Sequence, residues 1–296
     1  MRTAILAMAL VSVAAATALR AEEAFGPTAV PPAAQSFNLG KLQLTVLHDA
    51  QFVVPNDGKT FGIDAKAGEV TALLGTAAVP TDRVTLSVNV LMVRTGSHIV
   101  LLDTGLGPKA HGVLMSSLQR TGVAAAAVTD ILITHSHGDH IGGLLDANDK
   151  LAFPNARIRM SAAEWAWLQK QGPAQQVAAI AANIEAFTPG ATVVPGIRSR
   201  ALPGHTPGHV GYEISSGPAH LLDIGDMAHS SIVSLARPQW TMGFDTDQAQ
   251  SKATRTKTLA ALAANHELIY APHFPFPGVG HLVPDGDGFR WQPATP

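Results

Sequence analysis

Apolar residues come in short bursts along this chain, and their spacing separates strands from helices. The stretches LQLTVLHDA, VTLSVNVLMVRTG and HIVLLDTG are rich in β-branched and aliphatic residues and are punctuated by Gly and Asp, which predicts an opening cluster of strands. Residues 112–119 and the Ala-rich 122–128 then read as helices, and the second gives way at Asp130 to a strand, ILIT. A second round follows. IRMSAAEWAWLQK begins as a strand and continues as a helix capped by Ser161, with Glu164 at the capping-box position. Residues 174–187 predict another helix, stopped by Pro189 and Gly190. Strand-like runs come next at 191–202, 209–215 and 219–224. A helix from Thr246 or Asp247 to Asn265 precedes a last strand, ELIYAPH. Strands, helices, strands and a helix, in that order, suit an α/β protein of two packed sheets with helices outside.

The ends and the composition narrow this picture. Residues 1–18 hold a lone Arg2, an apolar run and the small residues Ala16, Thr17 and Ala18, which is the pattern of a secretory signal peptide. The run is shorter than the ~20 residues a membrane-spanning helix needs, so the expectation is an exported protein, periplasmic or secreted, without stable membrane insertion after processing. An uncleaved anchor is the alternative. Residues 19–35, with Pro27, Pro31 and Pro32, read as an extended leader. No Ser/Gly-rich linker, charge block or repeat interrupts 36–296, which favours one domain there. The chain has no cysteine, so disulfides, a thiolate nucleophile and sulfur ligands are excluded, and any metal must sit on nitrogen and oxygen. A net charge of −2 with scattered Lys and Arg offers no basic field to nucleic acid.

Four polar clusters stand at predicted strand ends. ITHSHGDHIGG places His135, His137, Asp139 and His140 on one turn; alternate positions of an extended segment point the same way, so His135 and His137 can share one ion while Asp139 and His140 turn towards another. In LPGHTPGHVGY two Pro-Gly pairs stiffen the backbone around His205, and His209 reads as support for that turn. LLDIGDMAH ends an apolar strand on Asp226, a carboxylate able to bridge two cations. LIYAPHFPFPG ends another on His273. Each of the last three alone would be an ordinary turn or a buried histidine. Together, five His and two Asp suffice for two N/O-coordinated ions with a position left for water.

This set of motifs, from Asp103 to His273, resembles the metallo-β-lactamase superfamily. The resemblance implies an αββα sandwich of two mixed β-sheets with helices on the outer faces. It also implies His135, His137 and His205 around one ion, Asp139, His140 and His273 around the other, Asp226 bridging, and Asp103 of LLDTG hydrogen-bonding behind the ligands. Zinc is the expected metal, with Co, Mn or Fe as alternatives. In finer texture, GDMAHSSIV, MGFDTDQAQSKATR and APHFPFPGVGH look like the exported methyl parathion hydrolase group, commonly dimeric, whose members cleave organophosphate triesters, aryl esters and lactones. The reaction so implied is attack by a hydroxide held between the two ions, with Asp226 and Asp139 in the reacting centre. Acyl-homoserine lactonases share the ligands but usually carry a Tyr where this chain has His229, a candidate for the pocket. Zinc β-lactamases generally lack the bridging Asp and often use Cys. A non-catalytic, zinc-stabilised binding protein is the reading from another class. Of the aromatic residues between motifs, Trp167 rather than Trp165 is expected at the substrate pocket, with Phe244 and Phe274. The loops over 52–80 and 146–153 are expected to set specificity.

Overall fold

A computed structural model describes residues 25–294. The expected signal peptide, residues 1–18, lies outside the described residues. Two mixed sheets face each other. The first has eight strands: β1 (Gly26–Thr28), β2 (Ala33–Leu39), β3 (Leu42–Pro55), β4 (Arg83–Thr95), β5 (His98–Leu102), β6 (Asp130–Leu132), β7 (Arg157–Ser161) and β8 (Ile184–Phe187), in the order β1-β3-β4-β5-β6-β7-β8 with β2 also paired to β3. The second has seven: β9 (Thr192–Val194), β10 (Ile197–Ala201), β11 (Val210–Ser216), β12 (Ala219–Asp223), β13 (Ile269–Tyr270), β14 (Val279–Asp285) and β15 (Gly288–Pro293), in the order β15-β14-β13-β12-β11-β10-β9. In the first sheet β3 (Leu42–Pro55), β4 (Arg83–Thr95) and β5 (His98–Leu102) are antiparallel, whereas β5, β6 (Asp130–Leu132), β7 (Arg157–Ser161) and β8 (Ile184–Phe187) run parallel. In the second sheet only β12 (Ala219–Asp223) and β13 (Ile269–Tyr270) are parallel.

Aliphatic side chains from both sheets meet between them, among them Leu44, Leu91, Leu102 and Leu132 from the first and Val210, Ile214 and Leu221 from the second. The outer face of the first sheet is covered by α2 (Leu114–Gln119), α3 (Ala162–Gln171) and α4 (Ala174–Ile180), which contribute Leu114, Leu118, Leu168 and Ile180. Leu259 and Leu262 of α5 (Gln248–Ala264) cover the second. In the second half of β4, Val90 and Met92 therefore pack under the helices and Leu91 and Val93 between the sheets, which explains the unbroken run VLMV there. The αββα sandwich is thus the observed architecture.

Several local expectations give way to tertiary pairing. The 19–35 leader is extended where described, but it is paired: β1 (Gly26–Thr28) and β2 (Ala33–Leu39) both hydrogen-bond to β3. Residues 122–128 form only a 3-10 turn at Ala125–Ala127, because an isolated run of seven residues is too short to sustain a helix against the pull of buried Val123 and Val128 into the core. The helix expected over 174–187 stops at Ile180, and 184–187 become strand β8 on the edge beside β7. The 191–202 run is a hairpin of β9 (Thr192–Val194) and β10 (Ile197–Ala201). The last strand shrinks to Ile269–Tyr270, and β14 (Val279–Asp285) and β15 (Gly288–Pro293) extend the second sheet.

Between β3 and β4 the chain makes an excursion that carries α1 (Glu69–Thr76) and packs Phe61, Val70 and Leu74 on Val233, Trp240 and Met242, forming a separate small core. Asp64 fastens it. Its carboxylate accepts hydrogen bonds from Thr241 N at 2.7 Å, Thr241 Oγ1 at 2.8 Å and Lys252 Nζ at 2.7 Å. Partial burial alone would raise the carboxyl, but Lys252 and Thr241 hold it down at about 2. A carboxylate depressed in the folded state stabilises it above the ordinary value of 3.8, and that contribution disappears as pH falls through about 2. Asp64→Asn should therefore lower the urea midpoint at pH 7, and the gap to the parent should narrow as the pH of the titration is brought from 5 towards 3.

Candidate metal centre

The polar clusters leave the sheets at one edge of the sandwich. His135, His137, Asp139 and His140 follow β6; His205 follows β10; Asp226 follows β12; His273 follows β13. His135, His137, His205 and Asp226 bring one ligand atom each within 4.8 Å of the others, and Asp139, His140 and His273 do the same beside them. Asp226 stands between the two groups. Its Oδ1 is 3.1 Å from His273 Nε2 and 3.2 Å from His140 Nε2, while its Oδ2 is 3.3 Å from His205 Nε2 and 3.5 Å from His135 Nε2. The sequence motifs therefore converge with one carboxylate oxygen facing each group.

Partners on the far side of His140, His205 and His273 aim their near nitrogens inward. Asp103 takes His140 Nδ1 at 2.7 Å and also accepts from Thr134 N and Thr134 Oγ1, both at 2.8 Å. Asp103 sits at φ 63°, a left-handed conformation unfavourable for a residue with a Cβ, which turns the chain so that its carboxylate reaches the motif loop. Asp245 takes His205 Nδ1 at 3.0 Å, and Arg255, 0 % exposed, holds Asp245 at 3.3 Å. The carbonyl of Ser87 takes His273 Nδ1 at 2.7 Å, and Asn89 Nδ2 donates to Pro272 O and Phe274 O on either side of that histidine. His209 donates from Nδ1 to Leu202 O at 2.7 Å and accepts Asp226 N at 3.0 Å, so it supports the carboxylate's backbone and is absent from both ligand groups.

The consequence is a set of ring nitrogens that face one another. His205 Nε2 lies 2.9 Å from His137 Nδ1 and 3.2 Å from His135 Nε2, and His140 Nε2 lies 3.2 Å from His273 Nε2. Asp226 Oδ1 is buried without a hydrogen-bond partner. When the far nitrogen of an imidazole is the donor, the near one presents a lone pair, and converging lone pairs with an orphaned carboxylate oxygen suit divalent cations. All donors are nitrogen or oxygen, so the residues fit such ions. The surrounding charges act unevenly on the rings. Burial drives His135 well below the usual imidazole value, helped by the neighbouring His140. Burial also lowers His140, but Asp226, Asp103 and Asp139 outweigh it and leave it well above. Burial would raise Asp226, and His140, His273 and His135 instead hold it well below the carboxylate range.

A cavity of about 380 Å³ opens over both groups. His137, Asp139, His205, Asp226 and His273 form its floor, and Phe52, Leu86, Leu106, His229 and Phe244 form its walls. His229 is 2 % exposed and tilts against Phe244 at 4.9 Å between ring centroids. Its Nε2 is 3.2 Å from Asp226 Oδ2 but not aligned as a hydrogen bond, so both ring nitrogens lack a partner. Two pocket expectations are corrected. Phe274 is 0 % exposed and packs edge-on against Trp291 in the outer core, because it follows His273 and points to the opposite side of the strand end. Trp167 is half-buried with its ring edge-on to His137 at 5.8 Å and is not among the residues that line the cavity; Trp165 packs on the helix-covered core. Phe52, Leu86 and Leu106 were not distinguishable from core residues by sequence, except that Phe52 begins the 52–80 stretch.

The superfamily model described as "Metallo-beta-lactamase superfamily" matches residues 83–273, from the start of β4 to the last histidine of the centre. The chain belongs to the metallo-beta-lactamase superfamily. Two solved structures are similar over most of both chains. The dizinc quorum-quenching lactonase AidC is 30 % identical with a TM-score of 0.83, covering 89 % of this chain and 98 % of its own. The hydrolase AbOPH is 28 % identical with a TM-score of 0.81, covering 90 % and 99 %. Among curated relatives, a metallo-beta-lactamase domain-containing protein of Xenopus laevis is 35 % identical over 40 % of this chain and 43 % of its own, and a probable metallo-hydrolase of Mycobacterium bovis is 27 % identical over 48 % and 57 %. The chain thus spans about half the length of these curated relatives.

Two outcomes follow for this superfamily centre. His135→Ala and Asp226→Ala should each lower bound metal, measured by elemental analysis of purified protein, and cut turnover by more than about 100-fold, beyond the loss typical of an outer hydrogen-bond partner. Arg255→Ala should cost about 3–5 kcal/mol in denaturant unfolding, because it strands the Asp245 carboxylate in a buried site.

Proposed function

We propose that this metal-dependent hydrolase acts on small uncharged esters: lactones, aryl esters and organophosphate triesters. The observation that carries the proposal is the cavity wall. Phe52, Leu86, Leu106 and Phe244 surround the metal-ligating floor, and no Lys or Arg is among the described residues that line it. A substrate with a fixed anion would lose hydration there without a side-chain countercharge. That argues against β-lactams, which carry a carboxylate. A non-catalytic zinc scaffold fits poorly as well, because structural zinc sites are closed, whereas five ligand residues here reach an open cavity.

When bound, a pair of divalent cations, for which we propose zinc, supplies Lewis-acid polarisation of a C=O or P=O and makes water a nucleophile near neutral pH. The chain's own residues then orient and exclude. The apolar wall removes water from around the substrate and strengthens the electrostatics of the floor. Burial lowers His229, which favours its neutral imidazole, and this ring in the cavity wall, with neither nitrogen engaged in a hydrogen bond, is the group we assign as a donor to a substrate oxygen. Carbonyl and phosphoryl substrates both develop negative oxygen, so one centre serves both classes. The motifs around Asp226, Phe244 and His273 support a place near the methyl parathion hydrolase group, and the 1–18 pattern supports export.

A narrower reading, an acyl-homoserine lactonase, is favoured by the likeness to AidC, described as a quorum-quenching lactonase in complex with a product. The deciding measurement is kcat/KM on one enzyme preparation for an aryl acetate, an aryl lactone, acyl-homoserine lactones, a methyl phosphotriester and a chromogenic cephalosporin. The expected result is that the best uncharged substrate exceeds the cephalosporin by more than about 100-fold, or roughly 2.7 kcal/mol of transition-state discrimination. Dialysis against a chelator should abolish turnover, with zinc restoring it. Equal turnover of the cephalosporin would overturn the reading.

A further inference from the structure

The first group of ligands is assembled from two loops far apart in the chain. His135 and His137 flank Ser136, and His205 precedes Thr206; one buried side chain joins the two loops. Glu164, 0 % exposed, accepts hydrogen bonds at Oε1 from Ser136 N at 2.7 Å and Ser136 Oγ at 2.5 Å. At Oε2 it accepts from Thr206 Oγ1 at 2.7 Å and Gly208 N at 3.1 Å. Two bonds run to each loop, and both carboxylate oxygens are fully used.

The local sequence does not require this arrangement. Glu164 is the third residue after the helix cap Ser161, whose Oγ accepts Glu164 N at 3.1 Å. In a capping box the Glu side chain would return to the Ser161 backbone N–H. Here it turns away and spans the two metal-binding loops instead. The approach is close: a Cβ at Gly208 would collide with Glu164 N and Ser161 Oγ, and Ser161 Oγ also donates to Gly208 O at 2.7 Å. No Lys or Arg among the described residues lies within ion-pair distance of Glu164, so its neighbours are hydrogen-bond donors of the ligand loops and not a countercharge.

We propose that Glu164 is a positioning residue that fixes the separation of the 135–137 loop from the 205–208 turn and thereby sets the affinity of the His135, His137 and His205 group for its cation. The physical reason is tolerance. A three-histidine site must hold its nitrogens to within about 0.5 Å; the Val210 N to Thr134 O hydrogen bond at 3.0 Å ties the two segments at one end, which leaves the residues beside the ligands free to drift relative to each other. One rigid carboxylate with bonds to both removes that freedom at the residues adjacent to the ligands. The inference rests on the metal-dependent reading of the centre but not on its substrate.

The test measures metal binding to folded protein. Metal-free protein is titrated with zinc against a chromophoric chelator, at a temperature below the unfolding midpoint of every variant, and the midpoint of each metal-free variant is recorded separately. Glu164→Gln keeps the side-chain volume but cannot accept at all four donors. Thr206→Val removes one bond to one loop and is the milder change if Glu164→Gln fails to fold. The expected result is one binding step weakened by about 10- to 100-fold in Glu164→Gln and by a smaller factor in Thr206→Val, with the other step retained. The weakened step should be the one that His135→Ala removes. A lowered midpoint with both zinc affinities unchanged in the folded variants would overturn the proposal, since a merely structural carboxylate behaves that way. So would equal weakening of both steps. Substrate turnover enters neither criterion, so failure of the substrate proposal leaves this result interpretable.

Discussion

Everything at the centre follows from a single constraint: imidazole nitrogens that turn their lone pairs toward one another need something positive between them. The fold arranges that by occupying the outward nitrogens first. His140, His205 and His273 are fixed by Asp103, Asp245 and the Ser87 carbonyl, three partners from three different elements. An imidazole whose outward nitrogen donates to such a partner can give only its inward nitrogen to a cation, so fixing the donor outward fixes the ligand atom inward. The left-handed backbone at Asp103 is part of the same arrangement, since it delivers a carboxylate to a place an ordinary strand end would not reach.

Such a centre concentrates buried carboxylates, which would destabilise a cation-free interior. Among the described residues, the ion-pair partners of Asp103, Asp139 and Asp226 are histidines, and Glu164 meets hydrogen-bond donors without a countercharge, whereas Asp245 has the buried Arg255. Divalent cations and the carboxylates therefore stabilise each other, and binding free energy is in part folding free energy. The apolar layer between the sheets does the complementary task. Leu132 and Leu102 anchor the strands whose ends carry His135 and Asp103, so that the ligands extend from rigid elements and not from free loops.

This division explains what could be read in the sequence. The seven ligand residues were legible because each lies on a short motif at the end of an apolar strand, where spacing carries the chemistry. The Ala-rich 122–128 and the 181–187 end of a supposed helix were misread because local propensity favoured a helix, while pairing and burial made a 3-10 turn and an edge strand. Glu164 was visible as a helix-start residue, yet its reach to Ser136 and Thr206 depends on β7 lying beside the turn that follows β10. Phe244 and Phe274 look alike in sequence. Only the side of the chain on which each falls puts one in the cavity and the other beneath Trp291.

The cavity walls and its floor belong to different parts of the fold, and that has a bearing on how specificity is set. Phe52, Leu86 and Phe244 are members of the small core that also holds Phe61, Val70, Val233 and Met242. None of these supplies a metal ligand. The excursion between β3 and β4 is fastened by Asp64 to Thr241 and Lys252, and Phe61 bridges to Met242. A side-chain change in that small core can reshape the wall by the width of a methyl group while Asp103, Glu164 and Asn89 continue to hold the ligands in place. Polar hydrogen bonds thus fix the reacting floor, and an adaptable apolar cluster fixes what can approach it. Because a methylene in a hydrophobic pocket is worth only about 1–3 kcal/mol, such a wall grades related uncharged substrates without selecting one absolutely.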